Sequence, residues 1–345
     1  MSFTNLRKIP KPQDILKQMP LPSRLASLKE KRDKTIKDIF RKDSKKFLLI
    51  IGPCSADDKD AIYEYALRLS LVQEKVKHVL VLVPRIYTNK PRTTAEGYKG
   101  MVHQPDPCDQ PNIVEGIKAI RQMHMHVLDH TGLSSADEML YPGNYPYLED
   151  LLSYVAIGAR SVENQEHRLT VSGLDIPAGM KNPTSGDIGV MLNSVYAAQK
   201  PHIFIYNGWE VKTAGNPFAH CILRGAVNQY GQNIPNYHYE SLMQVAEAYR
   251  KRGLVNPGMI IDTNHANSGK DFREQPRIAK QVLHSMQNSS SLRDIIKGLM
   301  IESYLEEGSQ SPAGKVKGQS ITDPCLGWKD SEKLILDIAE RIAKI

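Results

Sequence analysis

The chain has 345 residues, of which 41% are hydrophobic and 24% are charged, and its formal net charge is +7 at pH 7. This composition is that of a folded globular protein, and no run approaches the ~20 apolar residues that a membrane-spanning helix requires. The length exceeds the roughly 250 residues of one eight-stranded βα barrel but falls short of two large domains, so we expect one domain with extensions.

Residues 1–46 are predicted to form an N-terminal extension. They begin MSFTNLRKIPKPQ, without the apolar core or cleavage site of an export signal, so we expect a soluble, cytoplasmic protein. One helix is predicted from Pro22 to Phe40, but the segment is shorter than the roughly 50 residues of an independent domain. The remaining residues, 47–345, are predicted to form the barrel.

From residue 47 onward, short β-branched apolar runs alternate with longer segments of helical period. The strand candidates are Phe47–Ser55, His78–Tyr87, Ser135–Leu140, Tyr154–Ser161, Ile176–Asn182, His202–Asn207, Gly258–Ser268 and Ile296–Leu305. The helix candidates are Ala61–Gln73, Ile113–Leu128, Ile188–Ala198, Tyr239–Arg252, Gln275–Met286 and Ser331–Ile345. Eight alternations predict an α/β fold, a closed (β/α)8 TIM barrel. The apolar piece HCILRG (His220–Gly225) exceeds this count and is interpreted as part of an extra segment after strand 6.

Polar side chains stand where the predicted strands end, which is where barrel enzymes carry their chemistry. They are Cys54, Arg85, Glu138, Arg160, Lys181, Asp262, His265 and Glu302, and the extra segment adds Arg224. Any one of them alone is a solvent-reaching charge. Four cations at one barrel mouth, however, repel each other unless an anionic ligand lies between them. Guanidinium forks and an ammonium point charge suit a compact phosphorylated carboxylate, and phosphoenolpyruvate is such a molecule.

The segment NKPRTT follows the second predicted strand and offers Lys90, Arg92 and the hydroxyl of Thr93. These groups are suited to a second phosphate on the same face of the barrel. The alternative, a surface loop anchored by proline, has equal weight on this evidence alone.

One thiol, one imidazole and two carboxylates, from Cys54, His265, Glu302 and Asp323, form a candidate metal set. Mixed S, N and O donors suit a borderline divalent ion, Mn, Fe, Co or Zn. The spacing is weak evidence, because a buried cysteine is usually a small apolar side chain. The four cysteines contain no CxxC pair, so we expect free thiols.

Seven short motifs occur in the order that is typical of one family. They are IGPCS, KPRTT, IGARSVENQEHR, ILRG, HANS, IES and SITDPCLGW, from Ile51 to Trp328. With them the chain resembles type I DAHP synthase from about Lys45 to the C-terminus. The resemblance implies a metal-dependent enzyme that condenses phosphoenolpyruvate with D-erythrose 4-phosphate and water, the first step of the shikimate pathway to chorismate and the aromatic amino acids.

The resemblance also implies a role for each matching residue. Cys54, His265, Glu302 and Asp323 are expected to hold the metal. Arg85 and Lys181 are expected to meet the carboxylate of phosphoenolpyruvate, and Arg160, Lys181 and Arg224 its phosphate. Erythrose 4-phosphate is expected at Lys90, Arg92 and Thr93. The catalytic group comprises Lys90, which can protonate the developing alkoxide, with Glu138 and Asp323 as alternative activators of water.

The departures from the family concern regulation. The N-terminal arm, the loop Tyr141–Asp150 and the stretch Tyr206–His220 all differ from members that are inhibited by an aromatic amino acid, whereas Ser172 matches them. Near the site, Asn264 stands where many relatives carry serine, and we expect a slight effect. Relatives that assemble suggest a homodimer or homotetramer.

Three other functions compete with this interpretation. A synthase that uses arabinose 5-phosphate shares the barrel, but its loop differs from KPRTT. A catalytically silent scaffold, for example one that associates with chorismate mutase, is disfavoured because all four metal ligands are present. A nucleic-acid-binding role is disfavoured because the aromatic residues, 7% of the chain, are scattered and form no basic stripe.

Overall fold

The computed structural model describes residues 2–92 and 96–345. The helices are α1 Pro12–Gln18, α2 Ser23–Arg41, α3 Lys59–Val76, α4 Ile113–Thr131, α5 Gln165–Val171, α6 Ile188–Ala198, α7 Tyr239–Lys251, α8 Gln275–Gln287, α9 Ser290–Ile295 and α10 Trp328–Ile342. The strands are β1 Phe47–Gly52, β2 Leu80–Pro84, β3 Ser135–Glu138, β4 Leu152–Ile157, β5 Ala178–Lys181, β6 Ile203–Tyr206, β7 Trp209–Lys212, β8 Ala219–Leu223, β9 Ala226–Val227, β10 Asn233–Ile234, β11 Met259–Asp262 and β12 Ile296–Glu302. Within these ranges, none of the helices has the length and apolar character needed to traverse a bilayer.

Eight of the strands form one parallel sheet in the order β2-β1-β12-β11-β8-β5-β4-β3. The two end strands of this order are joined where the chain leaves β2, because the backbone N–H of Ile86 donates to the carbonyl of Ala136 in β3 at 2.9 Å. This contact brings the sheet round into a barrel, and the predicted (β/α)8 fold is confirmed. Apolar runs such as Phe47–Gly52 are buried along their whole length, as expected of strands that are covered on both faces.

The strand assigned to position 6 of the barrel was predicted wrongly. His202–Asn207 does not enter the barrel; its residues Ile203–Tyr206 pair antiparallel with β7 in a separate two-stranded ribbon and alternate between exposed and half-buried. The barrel strand is Ala219–Leu223, from the piece interpreted as an extra segment, and all of it is buried between β5 and β11. Both runs are short and apolar, so their length and composition did not separate them.

Helix α2 closes the amino-terminal end of the barrel. Its residues Ile36, Ile39 and Phe40 belong to the same buried cluster as the inward-facing side chains of the strands. The ring of Phe40 lies 4.3 Å from that of His220 on β8, centroid to centroid. With one end covered by α2, the open mouth is at the carboxyl ends of the strands.

Candidate active site

A cavity of about 280 Å³ lies at the carboxyl ends of the barrel strands. Nine of the predicted site residues line it: Arg85, Lys90, Arg92, Glu138, Arg160, Lys181, Arg224, His265 and Asp323. Cys54 and Glu302 are buried beside it, each 1% exposed. Thr93 lies outside the described residues. Because parallel strands of a barrel end on one face, side chains that are far apart in the sequence meet at this mouth.

Three of the four predicted metal donors converge on one point of the cavity wall, and His265 lies beside that group without belonging to it. The Sγ atom of Cys54 and one carboxylate oxygen each from Glu302 and Asp323 all lie within 4.8 Å of one another. His265 Nε2 is 3.8 Å from Glu302 Oε1, and its Nδ1 is 2.9 Å from Asp262 Oδ2. A carboxylate behind the ring is the usual way to orient a metal-binding histidine. The thiol and the two carboxylates that lie together form a candidate site for a borderline divalent ion.

Charge interactions inside this cluster change the pKa values of its members. Burial raises the pKa of the Cys54 thiol to about 11, and the carboxylate of Glu302 adds to that rise. Burial also disfavours the charged form of Lys90, but Cys54 and Asp323 outweigh it and raise the pKa of this lysine. Lys90 Nζ lies 2.6 Å from Cys54 Sγ and 3.1 Å from Asp323 Oδ2, so a protonated ammonium stands beside the donor set.

Two arginines of the cavity, Arg160 and Arg224, differ from Arg85 and Lys181 because no carboxylate of the described residues pairs with them. Arg85 pairs with Glu302 at 2.6 Å and Lys181 with Asp262 at 3.3 Å. Among the described residues, Arg160 and Arg224 have no ion-pair partner, and the buried Nη1 atom of Arg224 also lacks a hydrogen-bond partner. Burial lowers the pKa of Arg224, and the charge of Arg160 lowers it further.

The local sequence explains how these groups reach the mouth. Arg85 follows β2, and its guanidinium lies 4.0 Å from the ring centroid of Tyr87. Gly158 begins the loop that carries Arg160, and a Cβ atom at this glycine would collide with the Glu138 carboxylate. Gly225, directly after Arg224, has a φ of +74° and packs against the backbone of Ala266 and Asn267. Glycine tolerates both the close contact at position 158 and the positive φ at position 225, because it has no Cβ atom.

Three contributors to the site were not in the predicted set of site residues. Asp262 was noted only as a strand-terminal charge, yet it contacts both Lys181 and His265. Lys270 Nζ lies 3.4 Å from Asp323 Oδ1. The Asn264 side-chain amide donates to Glu302 Oε2, so the position where many relatives carry serine contacts a candidate metal ligand directly. The positive φ of His265, +53°, and of Lys270, +66°, turns this segment into the mouth, and neither angle could be read from composition.

A second cavity, of about 310 Å³, opens beside the ribbon β6–β7. Its wall includes Tyr145, Ser172, Phe204 and Thr213, and Ser172 Oγ lies 2.7 Å from Thr213 Oγ1. The strand 3 loop and the stretch after Tyr206, which differ from regulated relatives, thus still enclose a cavity around the matching serine.

Comparison with known proteins gives a consistent result. The family described as DAHP synthetase I matches residues 26–335. The Phe-sensitive phospho-2-dehydro-3-deoxyheptonate aldolase of Escherichia coli K12 is 36% identical, over 99% of this chain and 97% of that protein. The corresponding aldolase of Haemophilus influenzae is 37% identical, over 96% and 91% of the two chains. A solved structure of this aldolase from Francisella tularensis SCHU S4 superposes with a TM-score of 0.91 at 30% identity and covers 99% of both chains.

Proposed function

Because the chain belongs to the DAHP synthetase I family, we propose that it condenses phosphoenolpyruvate with D-erythrose 4-phosphate and water to give 3-deoxy-D-arabino-heptulosonate 7-phosphate and phosphate. The chain is a 3-deoxy-7-phosphoheptulonate synthase, a phospho-2-dehydro-3-deoxyheptonate aldolase, and acts at the first step of aromatic amino acid biosynthesis. We propose the identity of its substrates, the binding of a metal and the role of each site residue.

The observation that carries the proposal is that Arg160 and Arg224 have no carboxylate partner among the described residues and lie beside Lys181, in a cavity next to the metal donors. Buried or crowded cations need an anion, and a phosphate with three oxygens accepts from two guanidinium forks and an ammonium at once. We assign the phosphate of phosphoenolpyruvate to these three residues. Its carboxylate is assigned to Arg85 and Lys181, which lie deeper in the same mouth.

The second substrate is assigned to the loop after β2. Lys90 and Arg92 line the outer part of the cavity, and Arg92 Nε donates to the carbonyl of Tyr98 at 2.8 Å, which orients the guanidinium. We propose that Lys90, Arg92 and Thr93 hold erythrose 4-phosphate, with its aldehyde towards the donor set.

A divalent ion, Mn, Fe, Co or Zn, held by Cys54, His265, Glu302 and Asp323, would supply Lewis-acid polarisation of that aldehyde. C3 of phosphoenolpyruvate forms the new bond to the aldehyde carbon, and Lys90 gives a proton to the resulting alkoxide. Water then adds at C2, with Glu138 or Asp323 taking its proton. The C2–O bond to phosphate breaks and the electron pair leaves on the phosphate, which takes up the proton of the C2 hydroxyl as the C2 ketone forms. Arg160, Lys181 and Arg224 stabilise the charge of the departing phosphate.

The test is consumption of phosphoenolpyruvate by purified, chelator-treated enzyme, with and without Mn²⁺ and with erythrose 4-phosphate or arabinose 5-phosphate. We expect metal-dependent turnover with erythrose 4-phosphate alone. Arg224→Met is expected to lower kcat/KM by roughly 10²- to 10³-fold, as for loss of a transition-state donor. The exposed Arg250→Met is the matched control and should retain activity.

Other outcomes contradict parts of the proposal. Turnover with arabinose 5-phosphate would show that erythrose 4-phosphate was wrongly assigned as the aldose substrate. Binding of phosphoenolpyruvate without turnover under any of the four metals would instead support a silent scaffold. Equal activity of the two arginine variants would remove Arg224 from the phosphate site.

We also propose that the enzyme works in the cytoplasm as a homodimer or homotetramer. Support for assembly comes from the exposed apolar side chains of the β6–β7 ribbon, where Ile205 is 81% and Trp209 is 70% exposed. Sedimentation velocity of the wild type and of Trp209→Ser tests this. A wild type that sediments as a monomer would contradict the proposed assembly.

A further inference from the structure

A cavity of about 310 Å³ lies at the amino-terminal end of the barrel, on the side opposite the active site. It is bounded by the end of α2, by the residues that lead into β1, by the start of β12 and by the ends of α8 and α10. None of the residues assigned above to catalysis or substrate binding lines it.

Lys297, the second residue of β12, is the unusual member of its wall. The side chain is almost fully buried, with 7% of the residue exposed, and no described residue forms a hydrogen bond or an ion pair with its ammonium group. Lysines are almost never this buried without a partner. Burial lowers the pKa of Lys297 to about 8, and the charge of Lys42 lowers it further.

The neighbouring charges leave an excess of cations around this cavity. Lys42 Nζ lies 3.3 Å from Asp294 Oδ2, which is the single carboxylate side chain in the described wall. Lys45 and Lys46 also line the cavity, and neither ammonium group is paired with a described residue. With Lys297 they make three unpaired cations around one space, whose wall also includes Asp294, paired with Lys42, and the last residue, Ile345.

The end of helix α8 does not account for Lys297. Cations are often found near helix C-termini, where they compensate the exposed carbonyls. Arg293 has that role here, because its Nη1 atom donates to the carbonyls of Met286 and Gln287 at the end of α8. Lys297 makes no such contact with the described residues, and a Cβ atom added at Gly258 would lie 3.4 Å from its Cγ atom.

Apolar side chains form the rest of the wall. Ile39, Phe47, Met286 and Ile296 are each at most 4% exposed and border the cavity. Cavities of this size, near 300 Å³, are at the lower end of the range for small-molecule sites, which combine apolar walls with a few charged groups. The more accessible apolar surface of the wall belongs to Ile342 and Ile345, which are half-buried.

We propose that this cavity binds a small organic monoanion, a carboxylate that carries an apolar group about the size of one aromatic ring. Its carboxylate lies against Lys297, with Lys45 and Lys46 at the entrance, and its apolar group packs on Ile342. The site is separate from the proposed chemistry at the other end of the barrel and does not depend on it.

The probe is 4-fluorobenzoate, followed by ¹⁹F NMR during titration of chelator-treated enzyme that is saturated with phosphoenolpyruvate. Phosphoenolpyruvate keeps the probe out of the active site, and the chelator prevents turnover. We expect saturable binding to the wild type and a dissociation constant roughly tenfold higher for Lys297→Met, which keeps the stem but loses the charge. Lys280→Met, an exposed lysine on α8, is the matched control and should bind as the wild type does.

A second variant covers the case in which Lys297→Met fails to fold. Lys45→Gln combined with Lys46→Gln changes only the entrance of the cavity and should also weaken binding. The probe should raise the Tm of the wild type and of Lys280→Met by more than that of either cavity variant. Absence of saturable binding to the wild type overturns the proposal, and so does unchanged affinity in a folded cavity variant.

Discussion

Arg85 Nη1 lies 2.6 Å from Glu302 Oε1, and both side chains are buried at the barrel mouth. Arg85 is thus the proposed partner of the substrate carboxylate and also the residue that orients a proposed metal ligand. Asn264 donates to the other oxygen of the same carboxylate. The two proposed sub-sites, for metal and for phosphoenolpyruvate, share one ion pair.

The Arg85–Glu302 ion pair should contribute to the stability of the metal-free enzyme. Arg85→Met leaves a buried carboxylate without its cation, so we expect the free energy of unfolding of the metal-free enzyme to fall by about 3 to 5 kcal/mol. Urea denaturation measures it. In a double-mutant cycle, Arg85→Met with Glu302→Gln should cost less than the sum of the two single changes. Additive losses would show that the pair contributes no coupling energy.

Removal of the thiol should abolish a spectroscopic signature of the metal. With Co²⁺ added to the chelator-treated enzyme, we expect a thiolate-to-cobalt charge-transfer band in the near ultraviolet and a stoichiometry of about one ion per chain. Cys54→Ala should lose the band. Cys221→Ala, which alters a cysteine equally buried but on β8, is the control and should keep it. Persistence of the band in Cys54→Ala would assign the thiolate to another cysteine.

Arg92 should act on the aldose phosphate and not on phosphoenolpyruvate. Arg92→Met is expected to raise the KM for erythrose 4-phosphate by roughly 10- to 100-fold, the cost of one charge-assisted contact to phosphate, and to leave the KM for phosphoenolpyruvate within about twofold. Lys99→Met, an exposed cation of the same loop, serves as the comparison. Steady-state kinetics with each substrate varied in turn decides it. An equal rise in both KM values would place Arg92 elsewhere.

His220 should make stability depend on pH. Burial lowers the pKa of its imidazole to about 4, and the neutral ring lies 2.8 Å from the Phe218 carbonyl and 2.7 Å from the Tyr154 hydroxyl. Below the ordinary pKa of about 6.5, the unfolded chain binds a proton that the native chain does not. The free energy of unfolding therefore decreases as the pH falls from 6.5 towards 4, by up to about 1.4 kcal/mol per pH unit from this group.

His220→Gln isolates that contribution, because glutamine keeps polar groups at the site but does not titrate. Urea midpoints of both proteins at pH 7, 6 and 5 give the measurement. We expect the stability advantage of the wild type to shrink as the pH falls. Parallel pH profiles would contradict the prediction, because they would mean that the pKa of His220 is the same in the folded and the unfolded chain.

The elements that could be predicted from the sequence alone are those in which apolar pattern and flanking residues point to the same boundaries. Helix α6 begins and ends where the pattern predicted, at Ile188 and Ala198, and strands β1 and β12 begin where they were predicted, at Phe47 and Ile296. The residue types at the strand ends and the family resemblance determined the class of chemistry, because cation count and donor type do not depend on exact geometry. The division at residue 46 and the roles of the site residues stay predictions.

Features that depend on which surfaces become buried could not be predicted from the sequence. Ile203–Tyr206 and Ala219–Leu223 are both short apolar runs, and only packing between β5 and β11 selects the second as the barrel strand. The contacts of Asn264 with Glu302 and of Lys270 with Asp323 depend on left-handed backbone angles at His265 and Lys270. In the sequence, Lys297 cannot be told from an exposed lysine at the start of a strand. Its burial depends on the ends of α2, α8 and α10, which are distant from it in the chain.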